Sequence, residues 1–349
     1  MLAAVAKDLS RKMFVSSRMA RTAALHVAYA TYQRTLFRPI SSTREAEAAL
    51  QRRLARLFQQ DLRDAEEGYY PRELIDGLPW REYAPVAPKL LRDLPRTRSR
   101  ILENRFVDLP EAAAPERYPA YYQRNFHFQS EGYLGHRSAE LYDLQVELLF
   151  GGTADVMRRR LIPPVVDFAR ANNHSAAAPI KLLDVACGTG RLLRMLGAAL
   201  PEAALCGVDL SPHYVSRARA TLPHELNVSL LAENAEALPF PAGHFDAATC
   251  VFLLHELPGD IRAKVISEMV RVVRPGGLVV LADSLQLADA PELDAELRAF
   301  PQNFHEPYYL SYLRDDVAER MRAAGLSITD SRAHFLTKVV AGVKNKETI

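Results

Sequence analysis

One stretch, Lys181 to Leu196, constrains the fold more than any other. The apolar run Lys181-Leu182-Leu183-Asp184-Val185 passes through a small-residue loop, Ala186-Cys187-Gly188-Thr189-Gly190, into the helical run Arg191-Leu192-Leu193-Arg194-Met195-Leu196. This is the strand, glycine loop and helix that open a nucleotide-binding α/β unit. The glycines let the chain turn sharply and let a ligand approach the backbone, and the helix behind them presents unpaired N–H groups. A lone Gly-x-Gly recurs by chance. Here a second apolar run, Ala203 to Val208, ends in Asp209, about 20 residues beyond the loop, where such folds hold a pair of ribose hydroxyls. The bland alternative is an ordinary βαβ unit with Asp209 as a cap before Ser211-Pro212.

The alternation continues downstream. A helix is expected over 212–221 with proline at its first position, then a strand over 227–232, the loop 233–240, and a strand over 245–253 that ends at His255-Glu256. A helix over 259–273 is closed by the turn sequence Arg274-Pro275-Gly276-Gly277, and a strand over 278–282 ends at Asp283. An insertion, a helix over 314–324 and two strands near 326–332 and 335–343 complete the chain. Fully apolar strands alternating with helices predict a parallel sheet covered on both faces. The last two strands adjoin almost without a loop, which predicts a hairpin and one antiparallel strand. The expected fold class is therefore α/β, a Rossmann-like doubly wound seven-stranded sheet with its last strand antiparallel.

Upstream, apolar residues at helical spacing predict helices over 3–37 and 44–67, the second capped by Ser42 or Thr43. The proline-rich stretch 69–120 argues against long helices, with Trp80 as an anchor on a neighbouring surface. Helices follow over 136–149 and 153–171, the latter kinked or restarted at Pro163-Pro164. The organisation is thus an N-terminal helical and irregular extension, 1–149, that contributes to the substrate site, and a core domain, 150–349.

Composition narrows the function. The 349 residues, 48% hydrophobic and 25% charged with a net charge of +2, are those of a globular protein without a field that would select nucleic acid. The three cysteines show no metal spacing, so reduced thiols and a cytoplasmic location are expected. No run is long enough to span a bilayer. The first 40 residues set Arg11, Lys12, Arg18, Arg21, Arg34 and Arg38 against Asp8. This is the pattern of an organelle-targeting segment or, as preferred here, of a helical extension packed on its own protein.

Five segments occur in order and at fitting intervals: Asp184 to Gly190, Val208-Asp209-Leu210-Ser211, Ala235-Glu236-Ala237-Leu238-Pro239-Phe240, Phe245-Asp246 and Arg274-Pro275-Gly276-Gly277. Over about 150–343 the set resembles the class I S-adenosylmethionine-dependent methyltransferases, and within them the quinone-biosynthesis C-methyltransferases. The resemblance implies S-adenosyl-L-methionine as cofactor and transfer of its methyl group to a small organic acceptor, with carbon or oxygen preferred as the receiving atom. It implies that Ala186, Cys187, Gly188 and Gly190 pass the loop under the methionine part while Asp184 organises that loop. Asp209 would take the ribose hydroxyls and Leu210 the adenine face. Asn234, followed by Ala235, stands where the family usually has the acid that accepts from the adenine amino group.

After the fourth strand stands Leu254-His255-Glu256-Leu257 rather than the Asn/Asp-Pro-Pro-Tyr run of amino-group methylators. The carboxyl end of that strand faces the ligand crevice, so His255 and Glu256 are the catalytic candidates, either one as a base. Tyr122, His127 and Tyr133 ahead of the core, with His305, Tyr308 and Tyr309 in the insertion, supply the aromatic and polar groups of a small-molecule pocket. No metal is expected, because His127, His255 and His305 lack ligand spacing. No nucleic acid and no integral membrane segment are expected, and a homodimer is left open. The contrasting reading is a cofactor-binding protein that does not methylate and acts through its N-terminal region on a partner or a membrane.

Overall fold

The computed structural model describes residues 2–34, 42–76, 79–109 and 117–346. Seven strands form one sheet: β1 (Lys181–Val185), β2 (Ala204–Asp209), β3 (Val228–Ala232), β4 (Phe245–Val251), β5 (Val273–Ser284), β6 (Leu326–His334) and β7 (Thr337–Lys344). Their order is β3-β2-β1-β4-β5-β7-β6. The first five run parallel, and β7 lies antiparallel to both β5 and β6, so the expected fold class and terminal hairpin are found. The strand order reverses between β1 and β4, and the crevice outside their carboxyl ends is where open α/β sheets bind ligands. The turn sequence Arg274 to Gly277 is taken up into the start of β5, with a register shift opposite Phe245 and Ala247.

Gly207, in the middle of β2, lies directly under the glycine loop. A β-carbon there would stand 2.7 Å from a methyl of Leu193 and 2.8 Å from Cys187 Sγ and a methyl of Leu230. Gly207→Val is therefore expected to destabilise the fold by about 1–3 kcal/mol through overpacking. Thermal denaturation checks this, and an unchanged melting temperature would show that these neighbours yield freely.

The extension is built into this core. Helix α1 (Leu2–Arg34) lies on α2 (Arg44–Glu66), and Arg11 Nε donates to Glu66 at 3.0 Å. Residues 35–37, expected to end the first helix, lie outside the described residues. Thr43 caps α2 by accepting from Ala46 N at 3.1 Å. Leu54, Leu57 and Phe58 of α2 pack on Val156, Met157 and Phe335, and Leu62 joins Leu161, Ile162 and Leu182 on one face of the sheet. Behind this apolar seam, the fully buried Asp61 carboxylate receives Arg159 Nε and Nη2, both at 2.7 Å, Arg160 Nη2 at 2.9 Å and Tyr70 OH at 2.9 Å. Arg160 also pairs with Asp64.

Two expectations for 69–120 are corrected. Helix α3 (Ala87–Glu103) runs 17 residues through Pro95. Pro88 sits in its first turn, where no N–H partner is needed, and Leu90 packs with Tyr83 and Val86 on Leu141 and Leu144 of α4 (His136–Leu149). That packing outweighs the hydrogen bond lost at Pro95. Trp80 is 54% exposed, so it is not the buried anchor expected. The stretch 153–171 is two helices, α5 (Ala154–Arg159) and α6 (Ile162–Ala171), restarted so that both prolines occupy the first turn of α6. The remaining long elements are α7 (Arg191–Ala199), α8 (Pro212–Thr221), α9 (Gly259–Val272), α10 (Asp294–Phe304) and α11 (Val317–Ala323). Among the described residues, no helix is long and apolar enough to cross a membrane.

Candidate active site

Two cavities meet at the carboxyl ends of β1, β2 and β4. The smaller, about 100 Å³, is lined on the sheet side by Ala186, Gly188, Asp209, Leu210, Glu233, Asn234 and Ala235. Tyr121, Tyr122 and Tyr133 form its opposite wall. Asp209 Oδ2 accepts from Gly188 N at 2.9 Å and Oδ1 from Ser211 N at 2.8 Å. Burial pushes this carboxyl up to about 6 despite the two backbone donors. Each oxygen keeps a further lone pair. Gly188 adopts φ +54, and among the described residues a β-carbon built on it meets only the Tyr214 ring, at 4.0 Å. The loop therefore offers bare backbone beside a carboxylate, which fits a nucleoside with two adjacent hydroxyls.

The other cofactor candidates lie around this wall. Asn234 Oδ1 accepts from Glu236 N at 2.9 Å, and its amide donates to Glu236 Oε1 at 3.3 Å. The oxygen expected to meet an adenine amine thus also holds its own loop. Asp184, Cys187 and Gly190 do not line the cavity but support the loop. Burial pushes the Asp184 carboxyl up to about 7, against a hydrogen bond from Thr249 Oγ1 at 2.8 Å. Cys187 is buried, and burial raises its thiol pKa, as for a packed, inert thiol. Gly190 opens α7 in the left-handed region.

The larger cavity, about 250 Å³, is lined mainly by apolar side chains. Leu50 comes from α2, Tyr142, Val146 and Leu149 from α4, Leu297, Phe300 and Phe304 from α10, and Leu336 from the terminal hairpin. Tyr142, Phe252 and Glu256 line both cavities. His127, His255 and Tyr309 also line the larger one.

A polar cluster occupies the shared wall. His255 Nδ1 is 2.5 Å from Asp283 Oδ1, and Asp283 Oδ2 accepts from Leu254 N at 2.6 Å. Tyr133 OH donates to Glu256 Oε1 at 2.6 Å. The same oxygen is 3.8 Å from His127 Nε2 and 3.9 Å from His255 Nε2. Burial works to lower the His255 pKa, but the Asp283 charge and hydrogen bond outweigh it and push the imidazole up to about 10.

Of the substrate candidates, His127 and Tyr309 line the larger cavity, whereas Tyr122 and Tyr133 line the smaller. His305 and Tyr308 line neither. His305 stacks on Phe106 at 4.4 Å, and the Tyr308 carbonyl accepts from Arg262 Nη2 at 2.9 Å. The insertion instead sends Glu306 into the cluster, with Oε1 3.1 Å from His127 Nε2. Sequence reasoning passed over Glu306, although the dipeptide His305-Glu306 repeats His255-Glu256.

A family profile described as a methyltransferase domain matches residues 182–277. The ubiquinone/menaquinone biosynthesis C-methyltransferase of Rhodopseudomonas palustris is 33% identical over 230 residues, covering 55% of this chain and 81% of the relative. The chain belongs to the class I S-adenosylmethionine-dependent methyltransferases. The demethylmenaquinone methyltransferase of Thermus thermophilus is 37% identical over 146 residues, 42% of this chain and 61% of that one. The ubiquinone/menaquinone biosynthesis C-methyltransferase of Methylobacterium nodulans is 35% identical over 159 residues, 45% of this chain and 59% of that one. The chain thus spans about three fifths of the length of these last two relatives. S-adenosylmethionine is the cofactor of the family, and the residues of the smaller cavity fit it.

Proposed function

We propose that this methyltransferase moves the methyl group of S-adenosylmethionine onto a carbon of a small quinol-like aromatic acceptor held in the larger cavity. The observation that carries this reading is the junction of the two cavities at Tyr142, Phe252 and Glu256. Three relatives named for quinone-biosynthesis methylation support the acceptor class. Bound S-adenosylmethionine supplies an already activated methyl group, so the protein chiefly positions the acceptor and excludes water.

The residues divide that work. Asp209 receives the ribose hydroxyls. The phenylalanines, tyrosines and leucines of the larger cavity hold a flat apolar ring. His255, held protonated through Nδ1 by Asp283, presents its Nε2–H as a donor to an oxygen of the acceptor instead of acting as a base, and Glu256 stands beside it. The extension, through Leu50 and the tyrosine wall, closes the site over both ligands.

Mass-spectrometric detection of methylated products from a panel of substituted hydroquinones and catechols tests the reading. Carbon-methylated product from at least one hydroquinone is expected. His255→Ala should lower turnover about 10²-fold or more while leaving S-adenosylhomocysteine affinity within about threefold, since the cofactor site is untouched. Failure of the whole panel with a protein that binds cofactor would reject the acceptor class. Normal turnover of His255→Ala would remove that residue from the chemistry.

A further inference from the structure

We infer that His127, Glu256 and Glu306 form a site for one divalent first-row transition-metal ion at the wall of the larger cavity, with open positions for an oxygen of the acceptor. This departs from the expectation of no metal. The donor atoms of the three residues all lie within 4.8 Å of one another. His127 Nε2 stands 3.1 Å from Glu306 Oε1 and 3.8 Å from Glu256 Oε1. Ligands each about 2.0–2.2 Å from one ion stand about 3–4 Å apart, so the three side chains need little movement to close on it.

Glu306 supplies the second observation. Its side chain has no solvent exposure, yet among the described residues neither carboxylate oxygen has a hydrogen-bond partner. A buried carboxylate without donors is costly, and the nearby His127 imidazole is not aligned to relieve it. A cation between the three residues meets both oxygens' need. The backbone points the same way. His127 adopts φ +50 and His305, just before Glu306, φ +46. Non-glycine residues held in the left-handed region concentrate where function requires a set direction.

The surroundings have the form of an outer shell. Tyr133 OH holds Glu256 Oε1 at 2.6 Å. His255 stands alongside, its Nε2 3.9 Å from the same oxygen and its Nδ1 held by Asp283. Such partners fix the direction of metal ligands. One imidazole with two carboxylates and no thiolate suits manganese, iron, cobalt or zinc, whereas magnesium and calcium favour all-oxygen sets. His127 and Glu256 also line the larger cavity, so an ion between them faces the ring that occupies it. There it would coordinate an acceptor hydroxyl through its oxygen, a Lewis-acid role. This last step rests on the larger cavity being the acceptor site; the metal site itself does not.

The test uses the full chain, stripped with a chelator and then titrated with Mn²⁺ or Co²⁺, with bound metal counted by elemental mass spectrometry. One ion per chain is expected, with imidazole nitrogen coupling in the spin-echo spectrum of the Mn²⁺ form. Glu306→Gln and His127→Asn should each weaken binding at least about tenfold. S-adenosylhomocysteine affinity, measured on the same samples, reports whether each variant is folded. Absence of stoichiometric metal on the parent chain, or of nitrogen coupling, would overturn the site. So would undiminished metal binding by either variant with normal S-adenosylhomocysteine affinity. Metal bound without any S-adenosylhomocysteine binding would instead count against the methyltransferase reading and leave the site standing.

Discussion

Asp61→Ala is expected to cost about 3–5 kcal/mol of folding stability, the scale for breaking a buried ion pair by removing one partner. Asp61 lies on α2, within the extension, and is 1% exposed. Its carboxylate takes the Nε–Nη2 edge of Arg159 in two hydrogen bonds and shares Arg160 and Tyr70. Arg160 would keep Asp64, but Arg159 would be left as a buried charge without its counterion. Burial pushes the Asp61 carboxyl upward, yet Arg159 and Arg160 hold it below the ordinary range. For a depressed carboxyl the stabilisation is present above the unfolded pKa, about 4, and is lost as pH falls through the folded value. The variant should therefore melt several degrees lower near neutral pH, with the difference shrinking in strong acid. The acceptor side should suffer too, because α2 also carries Leu50 into the larger cavity. A melting temperature unchanged from the parent would mean that the extension is not seated on the core by this network. The division at residue 149 would then mark separable units instead of the integral extension proposed here.

Legibility in the sequence followed the range of the physics. The glycine loop, Asp209 and the strand alternation were readable because local chemistry sets them: a backbone that must turn, an acid that ends an apolar run, prolines in first turns. The terminal hairpin was readable from a missing loop. The helix through Pro95 was not, because a local penalty was overruled by packing of Leu90 against Leu141 and Leu144, residues about 50 positions away. His305 misled for a different reason. Its left-handed backbone turns the chain so that the imidazole stacks on Phe106 while the next side chain, Glu306, enters the cluster. Counting aromatic and histidine residues near an expected opening cannot reveal that reversal. The tyrosine wall was found as a patch of composition, but its assignment to the smaller cavity depended on where the chain before α4 crosses the sheet, which no local pattern encodes.

Asp209→Ala should weaken binding of adenosine-type ligands by about 1.5–3 kcal/mol, the scale for hydrogen bonds to a charged group, or roughly tenfold to more than a hundredfold. The carboxylate also accepts from Gly188 N and Ser211 N, so alanine releases the glycine loop as well as the ribose. Asp209→Asn separates these effects, since its single amide oxygen can still accept from one of the two N–H groups. The pH dependence identifies the group directly. Burial holds the free carboxyl up to about 6, and two ribose hydroxyls require it ionised in order to accept from both. Ligand binding therefore lowers this pKa: affinity is full above about pH 6 and falls by about tenfold per pH unit below it, as linkage requires. Methylthioadenosine is the suitable probe, because it has the ribose and adenine without the amino-acid part that titrates on its own. Calorimetric titrations between pH 5 and 8 should bend near 6 for the parent chain and run flat for Asp209→Asn. A parent profile as flat as that of the variant, or an Asp209→Ala chain of unaltered affinity, would take the ribose contact away from Asp209 and leave its carboxylate a clamp for the loop alone.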